Sequence, residues 1–512
     1  MSGSASSDTG PIPGTGGLGG RAPVVVVGGG MAGLVAARTL ARRGLRVTVL
    51  EESGRFGGSV DSRELGGLRL DSGAESFSTR SATVPGLAAE LGLDAELVVP
   101  EAAGAWVQLP GKDLQRSAQP LPNSGVLGIP ADPTDAGTAA AIGRTGVLRA
   151  SLDRVLPLGS LATRPGVSLG ELVRTRMGEE VLDRLVAPVA GGVFSADPDT
   201  LDVDAVAPGL RAAMARLGSL GAAAGSLRKA APAGSAVGGL RGGMARLRDA
   251  LVAELTAAGV DLRTGETVRG IHRSGSGWRV ATERATLERR LPARAVLVAT
   301  GGPAAVDLLA PVLPELAVER PAPVPGVALV TLVVEAPGLD AQPRGTGVLV
   351  ARGVEGVSAK ALTHSTAKWK WLRNQAAPGV HVLRLSFGRV GDDTARDLGP
   401  STGDDRLFAV ALADASALLG VRIDAAAVLD WDVVRWAGAL PHAAVGHRDR
   451  VARIRTVTSA VGTLDVTGAW LAGTGLVAVI DDARARATAL ADRLDTVDQG
   501  LFQRDVNYFY DL

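Results

Sequence analysis

The chain has 512 residues, a formal net charge of +1 and no cysteine. A chain of this length exceeds one ordinary hydrophobic core, so two or more domains are expected. The near-neutral charge gives no general attraction to nucleic acid or an anionic membrane. The lack of cysteine excludes disulfides, thiolate metal ligands and a cofactor linked through sulfur. No pair of histidines or acids has metal-ligand spacing, so no metal site is predicted.

The N-terminal stretch, residues 1–22, is rich in Ser, Gly, Pro and Thr. Such a composition cannot build a core and predicts a disordered tail. The tail lacks the basic and apolar regions of a signal peptide. No apolar run in the chain reaches the ~20 residues of a membrane span. We therefore expect a cytoplasmic protein without a transmembrane segment, and peripheral membrane contact stays open.

The stretch from Val24 to Glu51 has the pattern of a β–α–β unit that binds a dinucleotide. Gly28, Gly30 and Gly33 fit G-x-G-x-x-G between an apolar run and a helix pattern. The first glycine allows a tight turn, the second a close approach to a pyrophosphate, and the third close helix packing. Glu51 closes the second strand, where a carboxylate accepts ribose hydroxyls. The candidate cofactor-binding residues of this unit are Gly28, Gly29, Gly30, Met31, Ala32, Gly33, Glu51 and Glu52.

The residues that follow Glu51 indicate which dinucleotide cofactor is expected. The sequence "EESGRFGG" places Arg55, Gly57 and Gly58 soon after the ribose carboxylate. This arrangement resembles the extended E-x-x-x-R-x-G-G signature of two-domain flavoprotein oxidases. The resemblance implies FAD as the cofactor, with the paired glycines passing close to its flavin side.

Further elements follow along the chain. Their residue patterns predict a strand ending in a turn, a small-residue loop, a helix with Ser168 as N-cap, a second helix, two strands and a C-terminal helix. In that order they are Gly66–Phe77, Ala131–Gly143, Ser168–Arg184, Met244–Ala258, Ala328–Glu335, His381–Phe387 and Asp482–Leu494.

Beyond the shared fingerprint, the chain resembles the oxygen-dependent protoporphyrinogen/coproporphyrinogen oxidases of haem biosynthesis. The segments that carry this resemblance are "LRLDSGAESFSTR", "LPNSGVLGIP", "APVAGGVFSADPDTLDVDAVAP", "ALTHSTAKWKW" and "RWAGALPHAAVGHRDRV", in the family's order. They span nearly the whole chain after the tail.

This resemblance implies an α/β (α+β) fold, with a Rossmann-like FAD-binding domain and an interleaved substrate-binding domain that carries a helical insertion. The FAD-binding domain is expected in residues 23–90, 236–310 and 441–496. The substrate-binding domain is expected in residues 91–235, with the helical region, and in residues 311–440. Residues 497–512 form a tail with both tyrosines of the chain, which suggests docking on the body or on a partner.

The resemblance also implies site residues. Further cofactor-binding candidates are Gly73, Ala74, Glu75, Ser76, Val268, Thr300, Trp436, Gly473, Val479 and Ile480. Substrate-binding candidates are Arg80, Val193, Phe194 and Lys368. An exposed arginine, a core phenylalanine and a surface lysine remain alternative interpretations of three of these. His442 and His447 are expected to be structural, and no catalytic side chain is predicted, because the flavin carries the redox chemistry.

The chain departs from the family near its C-terminus. Val477 and Val479 are placed where glycines usually let backbone meet the flavin, and Ala443 where a tyrosine is usual. Side chains at such close approaches would push the cofactor away.

The implied reaction is a six-electron oxidation of coproporphyrinogen III, or of protoporphyrinogen IX, with dioxygen as acceptor and hydrogen peroxide as product. Two alternatives stay open. One is an amine oxidase or a carotenoid-desaturase relative, although aromatic residues are only 3% of the chain and amine oxidases typically add an aromatic cage. The other is a degenerate flavoprotein fold that binds a tetrapyrrole or a partner without turnover. Oligomeric state is not predicted.

Overall fold

The computed structural model describes residues 22–122, 125–230, 237–321, 326–388, 398–436 and 444–510, with the backbone alone for 230 and 497–510. The predictions for the N-terminal tail, for the side chains of the C-terminal tail, and for His442 and Ala443 lie outside the described residues.

The strands are β1 (Val24–Val27), β2 (Val47–Glu51), β3 (Ser62–Leu65), β4 (Leu68–Asp71), β5 (Phe77–Ser78), β6 (Leu97–Val98), β7 (Trp106–Gln108), β8 (Ala118–Pro120), β9 (Val237–Leu240), β10 (Asp261–Thr264), β11 (Thr267–Ser274), β12 (Gly277–Arg284), β13 (Leu287–Ala293), β14 (Ala295–Val298), β15 (Val327–Glu335), β16 (Gly347–Val350), β17 (Ala361–His364), β18 (Val380–Phe387), β19 (Val428–Trp436) and β20 (Leu464–Val466).

The helices are α1 (Met31–Arg42), α2 (Thr83–Glu90), α3 (Leu114–Ser117), α4 (Ala136–Ser151), α5 (Leu169–Met177), α6 (Glu179–Val181), α7 (Ala187–Phe194), α8 (Val203–Val206), α9 (Leu210–Leu217), α10 (Leu220–Ala230), α11 (Ala245–Ala257), α12 (Gly302–Leu309), α13 (Ser365–Lys368), α14 (Lys370–Arg373), α15 (Asp404–Leu419), α16 (His447–Ser459), α17 (Ala469–Ala472) and α18 (Leu476–Tyr510).

A five-stranded sheet forms one centre of the molecule, in the order β10-β2-β1-β14-β20. Its neighbouring strands are all parallel. The four valines of β1 are buried on both faces, as expected for a central parallel strand. Helices α1, α11 and α18 contribute to the hydrophobic core on one face. The sheet β11–β13 and helices α12 and α16 contribute to the core on the other face.

A seven-stranded sheet forms the second centre, in the order β19-β15-β18-β17-β16-β7-β8. Strand β15 is buried along its whole length except at Glu335. One face shares a large core with helices of the region 136–230 and with α15. The opposite face packs against the hairpin β3–β4 through Leu65, Leu68 and Leu70. The predicted α/β fold class is confirmed, and the strands predicted near Ala328 and His381 are both present as β15 and β18.

Three predicted elements are wrong in type or extent. The stretch predicted as a loop, Ala131–Gly143, contains the start of α4, because the Asp135 carboxylate caps the helix by accepting from the Thr138 N–H at 3.3 Å. The alanines that follow favour a helix, which continues until Gly143 breaks its geometry with φ +71°. The C-terminal helix begins at Leu476 rather than at Asp482.

The helix predicted over Ser168–Arg184 has the predicted cap but not the predicted length. The Ser168 hydroxyl accepts from the Glu171 N–H at 3.0 Å. Helix α5 then ends at Met177, because Gly178 adopts φ +93°. Within the part of the chain that the structure describes, no helix has the length and apolarity to cross a membrane.

Candidate cofactor and substrate site

At Gly28 and Gly33 of the glycine loop after β1, a Cβ would collide with the backbone. Gly28 adopts φ +103°, and a Cβ there would lie 2.8 Å from the Ala299 carbonyl oxygen. A Cβ on Gly33 would lie 1.9 Å from the Gly28 carbonyl oxygen. Both glycines therefore hold α1 close against β1 and β14, as the motif predicts.

Gly30 differs, because a Cβ there would meet only the Gly58 Cα, at 3.9 Å. Space is thus open in front of Gly30, where α1 begins at Met31. The first N–H groups of a helix have no partner within the helix, so they face this space with the positive end of the helix dipole. Such a cradle fits a pyrophosphate group.

The Glu51 carboxylate stands beside this cradle at the end of β2. One oxygen accepts from the Gly29 N–H at 2.7 Å. The other accepts from the Ser53 N–H at 2.9 Å and from its hydroxyl at 2.7 Å. A carboxylate has about four acceptor positions, so it retains capacity for a ribose hydroxyl. The adjacent Glu52 is exposed.

The paired glycines Gly57 and Gly58 lie against the glycine loop. The Gly57 N–H donates to the Gly29 carbonyl at 2.8 Å. Arg55 is anchored by the Asp61 carboxylate at 2.7 Å. That carboxylate, 3% exposed, also binds Arg248 at 2.7 Å. The aliphatic part of Arg248 fills the space beneath Gly57, where a Cβ would lie 2.5 Å from its Cδ.

Sequence reasoning missed both Asp61 and Arg248. The two residues are 187 positions apart, and nothing in the local pattern of either pairs them. Their ion pair ties the Gly57–Gly58 turn to helix α11.

The turn from Gly73 to Ser76 reaches the same place. The Ala74 N–H donates to the Ser59 carbonyl at 2.9 Å. The Trp436 indole N–H donates to the Ser72 carbonyl at 2.9 Å, and its ring lies over Gly73. The structure therefore brings the predicted residues Gly73, Ala74 and Trp436 next to the turn after Gly58.

Glu75 and Lys368 form a largely buried ion pair. Arg384 lies 3.7 Å from the second Glu75 oxygen. Burial by itself would raise the pKa of Glu75, but the charges of Lys368 and Arg384 lower it to about 2. The ammonium of Lys368 is thus engaged with Glu75, so the predicted substrate anchor and the predicted cofactor residue contact each other.

The pKa of a neighbouring carboxyl group is shifted in the opposite direction. Burial raises the pKa of Asp71 to about 6, against the effect of the Met244 and Ala245 N–H groups that it accepts. These bonds, at 3.0 and 3.3 Å, place Asp71 at the start of helix α11. Asp71, Glu75 and Arg384 line a cavity of about 20 Å³ between the β3–β4 hairpin and the seven-stranded sheet.

Val268 and Thr300 both lie close to the glycine loop after β1 and the end of β2. The Glu266 N–H donates to the Glu51 carbonyl at 2.9 Å, which brings the start of β11 to the end of β2. The Thr300 nitrogen lies 3.1 Å from the position of a Cβ on Gly28. The side chain of Val268 packs against the core on the outer face of the parallel sheet.

The remaining substrate candidates are more dispersed. Arg80 is exposed, and its N–H donates to the Ser78 hydroxyl at 3.4 Å. Val193 is 49% exposed, whereas Phe194 packs against the large core of the seven-stranded sheet. Both lie in the last turn of α7.

In the segment before α18, two glycines with open backbone precede Val477 and Val479. Gly473 and Gly475 adopt φ +101° and +111°, and a Cβ on either would meet nothing within 4 Å. These two glycines therefore provide the open backbone, and Leu476 begins the helix. Val477, Val479 and Ile480 pack into the core beneath the helix. These core contacts favour Gly473 and Gly475, rather than Val477 and Val479, as the backbone that a cofactor could approach.

Helices α1 and α18 start at the same edge of the parallel sheet. They follow the carboxyl ends of β1 and β20, which run parallel. In open parallel sheets, ligands bind outside the carboxyl ends of the strands. The open backbone at Gly30, Gly473 and Gly475 outlines a candidate dinucleotide site at this edge, and the residues present fit FAD.

The family of the chain follows from its match to known proteins. Residues 31–494 match the family model of flavin-containing amine oxidoreductases. The chain belongs to this family.

Individual relatives have names that are more specific than that of the family. The chain is 33% identical to the coproporphyrinogen III oxidase of Mycobacterium tuberculosis strain H37Rv, over 92% of this chain and 97% of the relative. It is 27% identical to the coproporphyrinogen III oxidase of Bacillus subtilis, over 93% and 98%. These relatives confirm the predicted resemblance, and they show that the chain is an oxidoreductase.

Solved structures agree with the fold. A putative protoporphyrinogen oxidase from Exiguobacterium sp. 255-15 is similar with a TM-score of 0.78 and 26% identity, covering 93% of this chain and 100% of that one. Putrescine oxidase bound to putrescine gives a TM-score of 0.60 at 17% identity, covering 93% and 99%. At that identity the similarity concerns the fold alone.

Proposed function

We propose that the protein is an FAD-dependent oxidase that converts coproporphyrinogen III to coproporphyrin III in the cytoplasm. The observation that carries this proposal is the 33% identity to coproporphyrinogen III oxidases over 92% of the chain, together with an intact dinucleotide cradle. Protoporphyrinogen IX is the second substrate to test, because a relative from Spinacia oleracea, 26% identical, is named protoporphyrinogen oxidase.

The cofactor would be held at three places that the sequence separates widely. Gly28–Gly33 would face the pyrophosphate and Glu51 the ribose. The Gly57–Gly58 turn would face the flavin half, for which Gly473 and Gly475 would leave room. Bound FAD supplies a two-electron acceptor that dioxygen can reoxidise, so one porphyrinogen and three dioxygen molecules yield one porphyrin and three hydrogen peroxide molecules. This assignment supports the division of the chain into an FAD-binding domain with three segments and an interleaved substrate-binding domain.

The protein's own side chains would position the substrate rather than perform acid–base chemistry. The tetrapyrrole would bind beside the cofactor turn at Gly73, which Trp436 joins to the seven-stranded sheet. Arg80 and the end of α7 at Val193 and Phe194 remain the predicted contacts. The Glu75–Lys368 pair would hold the Gly73–Ser76 turn in place.

The test measures cofactor and substrate separately. We expect purified protein to carry or take up FAD, and coproporphyrinogen III to bleach the bound flavin under anaerobic conditions. After air is admitted, the fluorescence of coproporphyrin and three equivalents of hydrogen peroxide should appear. Putrescine is the control substrate.

Two outcomes would contradict the proposal in different ways. Bleaching by putrescine but not by coproporphyrinogen would make the protein an amine oxidase. FAD binding without bleaching by any of the porphyrinogens would indicate the degenerate fold that binds without turnover.

A further inference from the structure

Two consecutive carbonyl groups just before the Gly73–Ser76 turn accept hydrogen bonds from the seven-stranded sheet. The Arg384 guanidinium donates to the Asp71 carbonyl at 3.2 Å. The Trp436 indole N–H donates to the Ser72 carbonyl at 2.9 Å. Arg384 lies on β18, and Trp436 ends β19. The segment that leads into the cofactor turn is therefore bound to two different strands of the sheet.

The strand register places both donors on the face of the sheet that carries the β3–β4 hairpin. Val382, two residues before Arg384 on β18, packs against this hairpin. Arg384 pairs with Thr331 of β15, and Val327 of the same strand pairs with Trp436. Residues an even number of positions apart in a strand lie on the same face. Arg384 and Trp436 thus reach the turn from one side.

The turn itself is held from this side through Glu75. The Glu75 carboxylate pairs with Lys368, which ends α13. The Arg384 Nη1 that binds Asp71 lies 3.7 Å from the second Glu75 oxygen. The side chains of Glu75, Lys368 and Arg384 are each at most 15% exposed, so water screens these contacts little. Arg384 therefore contacts the segment both before the turn and within it.

The other side of the same segment is fixed to the part of the protein that forms the cofactor cradle. The Asp71 carboxylate accepts from the Met244 and Ala245 N–H groups at the start of α11. The Ala74 N–H donates to the Ser59 carbonyl at 2.9 Å. The segment is thus a joint between the parallel sheet with its helices and the seven-stranded sheet.

We propose that Arg384 is a positioning residue for the reduction of FAD by the tetrapyrrole. Together with Trp436 it holds the Gly73–Ser76 turn at a fixed distance from the seven-stranded sheet. The inference rests on the proposed function, in which the tetrapyrrole binds beside this turn. A misplacement of about 1 Å between reacting groups can slow a reaction about a hundredfold. Loss of Arg384 should therefore slow electron transfer more than it weakens the binding of FAD or substrate.

The test compares arginines that join the same parts of the molecule. Arg384→Gln removes the charge, and Arg384→Lys keeps it. Arg63→Gln is the matched control, because Arg63 joins the β3–β4 hairpin to Asp432 of the same sheet, at 3.6 Å and outside the turn. Hydrogen exchange followed by mass spectrometry reports on residues 71–76 in the FAD-free protein. Anaerobic stopped-flow with coproporphyrinogen III then gives the rate constant of flavin reduction and the dissociation constant of the substrate.

In the FAD-free protein, we expect Arg384→Gln to speed amide exchange of residues 71–76 about tenfold, and Arg63→Gln to leave it within about twofold. With FAD bound, Arg384→Gln should slow flavin reduction by about tenfold or more, while the dissociation constants of FAD and coproporphyrinogen III change less than about threefold. Arg384→Lys should recover part of the lost rate, because an ammonium group can still donate to the Asp71 carbonyl.

Equal rates of flavin reduction in folded Arg384→Gln and wild type would overturn the proposal, and faster exchange alone would leave Arg384 with a structural role only. If Arg384→Gln fails to fold, Trp436→Phe carries the test, because it keeps an aromatic ring beside Gly73 and removes the N–H donor. Its flavin should be reduced about threefold to tenfold more slowly, as for one lost neutral hydrogen bond, and an unchanged rate would overturn the proposal. If wild-type protein binds FAD that no porphyrinogen reduces, the proposed function itself fails, and the positioning role fails with it.

Discussion

Two glycines of the same loop have different reasons for being glycine. Gly33 must be glycine because α1 touches the Gly28 carbonyl oxygen, a contact within the protein. Gly30 has free space in front of it, so its reason must lie in a ligand. Residues that look alike in a motif thus separate into structural and binding roles once the neighbours of each Cβ are known.

Gly30→Ala is therefore expected to leave the stability of the ligand-free protein within about 0.5 kcal/mol of wild type. The added methyl group would occupy the space of the pyrophosphate and weaken FAD binding by at least tenfold. Gly33→Ala is the contrasting variant, and it should lose several kcal/mol of unfolding free energy even without FAD, because a buried clash must be relieved. Urea unfolding and FAD titration measure both effects. Equal loss of stability in the two variants would contradict this distinction.

For charged residues too, the neighbours in the fold decide the role, as the Asp61–Arg248 ion pair shows. Asp61 is buried and binds Arg55 and Arg248, and Arg248 also supports Gly57. Without Arg248, the buried Asp61 carboxylate would keep only the half-exposed Arg55 as a cation partner.

Arg248→Met should cost roughly 1.5–3 kcal/mol of unfolding free energy, as for a lost hydrogen bond to a charged group, and weaken FAD binding through the displaced Gly57 turn. Arg263→Met is the matched control, because Arg263 pairs with a half-exposed Asp261. A surface pair of that kind contributes about 0–1 kcal/mol. Equal unfolding free energies and FAD affinities for the two variants would show that the Asp61 pair does not position the turn.

At the scale of elements, the ends of β17 and β18 are joined by a chain of imidazoles. The His364 Nε2 lies 3.0 Å from the His381 Nδ1, and the His381 Nε2 lies 3.0 Å from an Asp340 oxygen. His364 is fully buried. Burial and the neighbouring His381 lower the pKa of His364 to about 3. Burial also lowers the pKa of His381, although Asp340 opposes this.

These shifts predict an acid-sensitive strand pair. Between pH 6.5, the ordinary value for His364, and pH 3, the unfolded chain binds a proton that the folded chain does not. Stability is therefore lost as the pH falls, by about 1.4 kcal/mol per pH unit for such a group. His364→Gln should flatten the decline between pH 6.5 and 4.5, as measured by urea unfolding at several pH values. His272→Gln, at an exposed position, is the control, and identical slopes for His364→Gln and wild type would contradict the assignment.

Element boundaries also show where local patterns are insufficient. The start of α18 at Leu476 depends on Gly473 and Gly475, whose left-handed backbone turns the chain into the helix. The sequence "GTGLVAVIDD" contains these glycines but also apolar residues that fit a strand. Burial of Ile480 against α1 and its neighbours decides for the helix.

At the scale of the whole molecule, three distant segments meet at one edge of the parallel sheet. They are the loops after β1, after β2 and before α18. A ligand that touches all three must stabilise the complete fold, since it binds only when the segments are assembled.

Adding FAD at about 100 times its dissociation constant should raise the unfolding free energy by roughly 2.7 kcal/mol. FMN, which lacks the adenosine half and its ribose, should give a much smaller rise at the same concentration, because it cannot reach Glu51. Thermal or urea unfolding of cofactor-free protein measures both. An equal rise with FMN would show that the adenosine half contributes nothing and would contradict the assigned role of Glu51.

The sequence by itself determined the dinucleotide unit, the α/β class and the family resemblance. It did so because the glycine loop works through the backbone of contiguous residues, so its pattern is local. The substrate-binding residues could be predicted less well from the sequence. The sequence resemblance predicts Lys368 as a substrate anchor, whereas the structure pairs it with Glu75, 293 positions away. Only the tertiary structure decided which charged groups meet, namely Asp61 with Arg248 and Ser195 with Lys360. Charged residues far apart in the chain become partners only when sheets and helices pack them together. The sequence pattern does not show which residues will be neighbours in space.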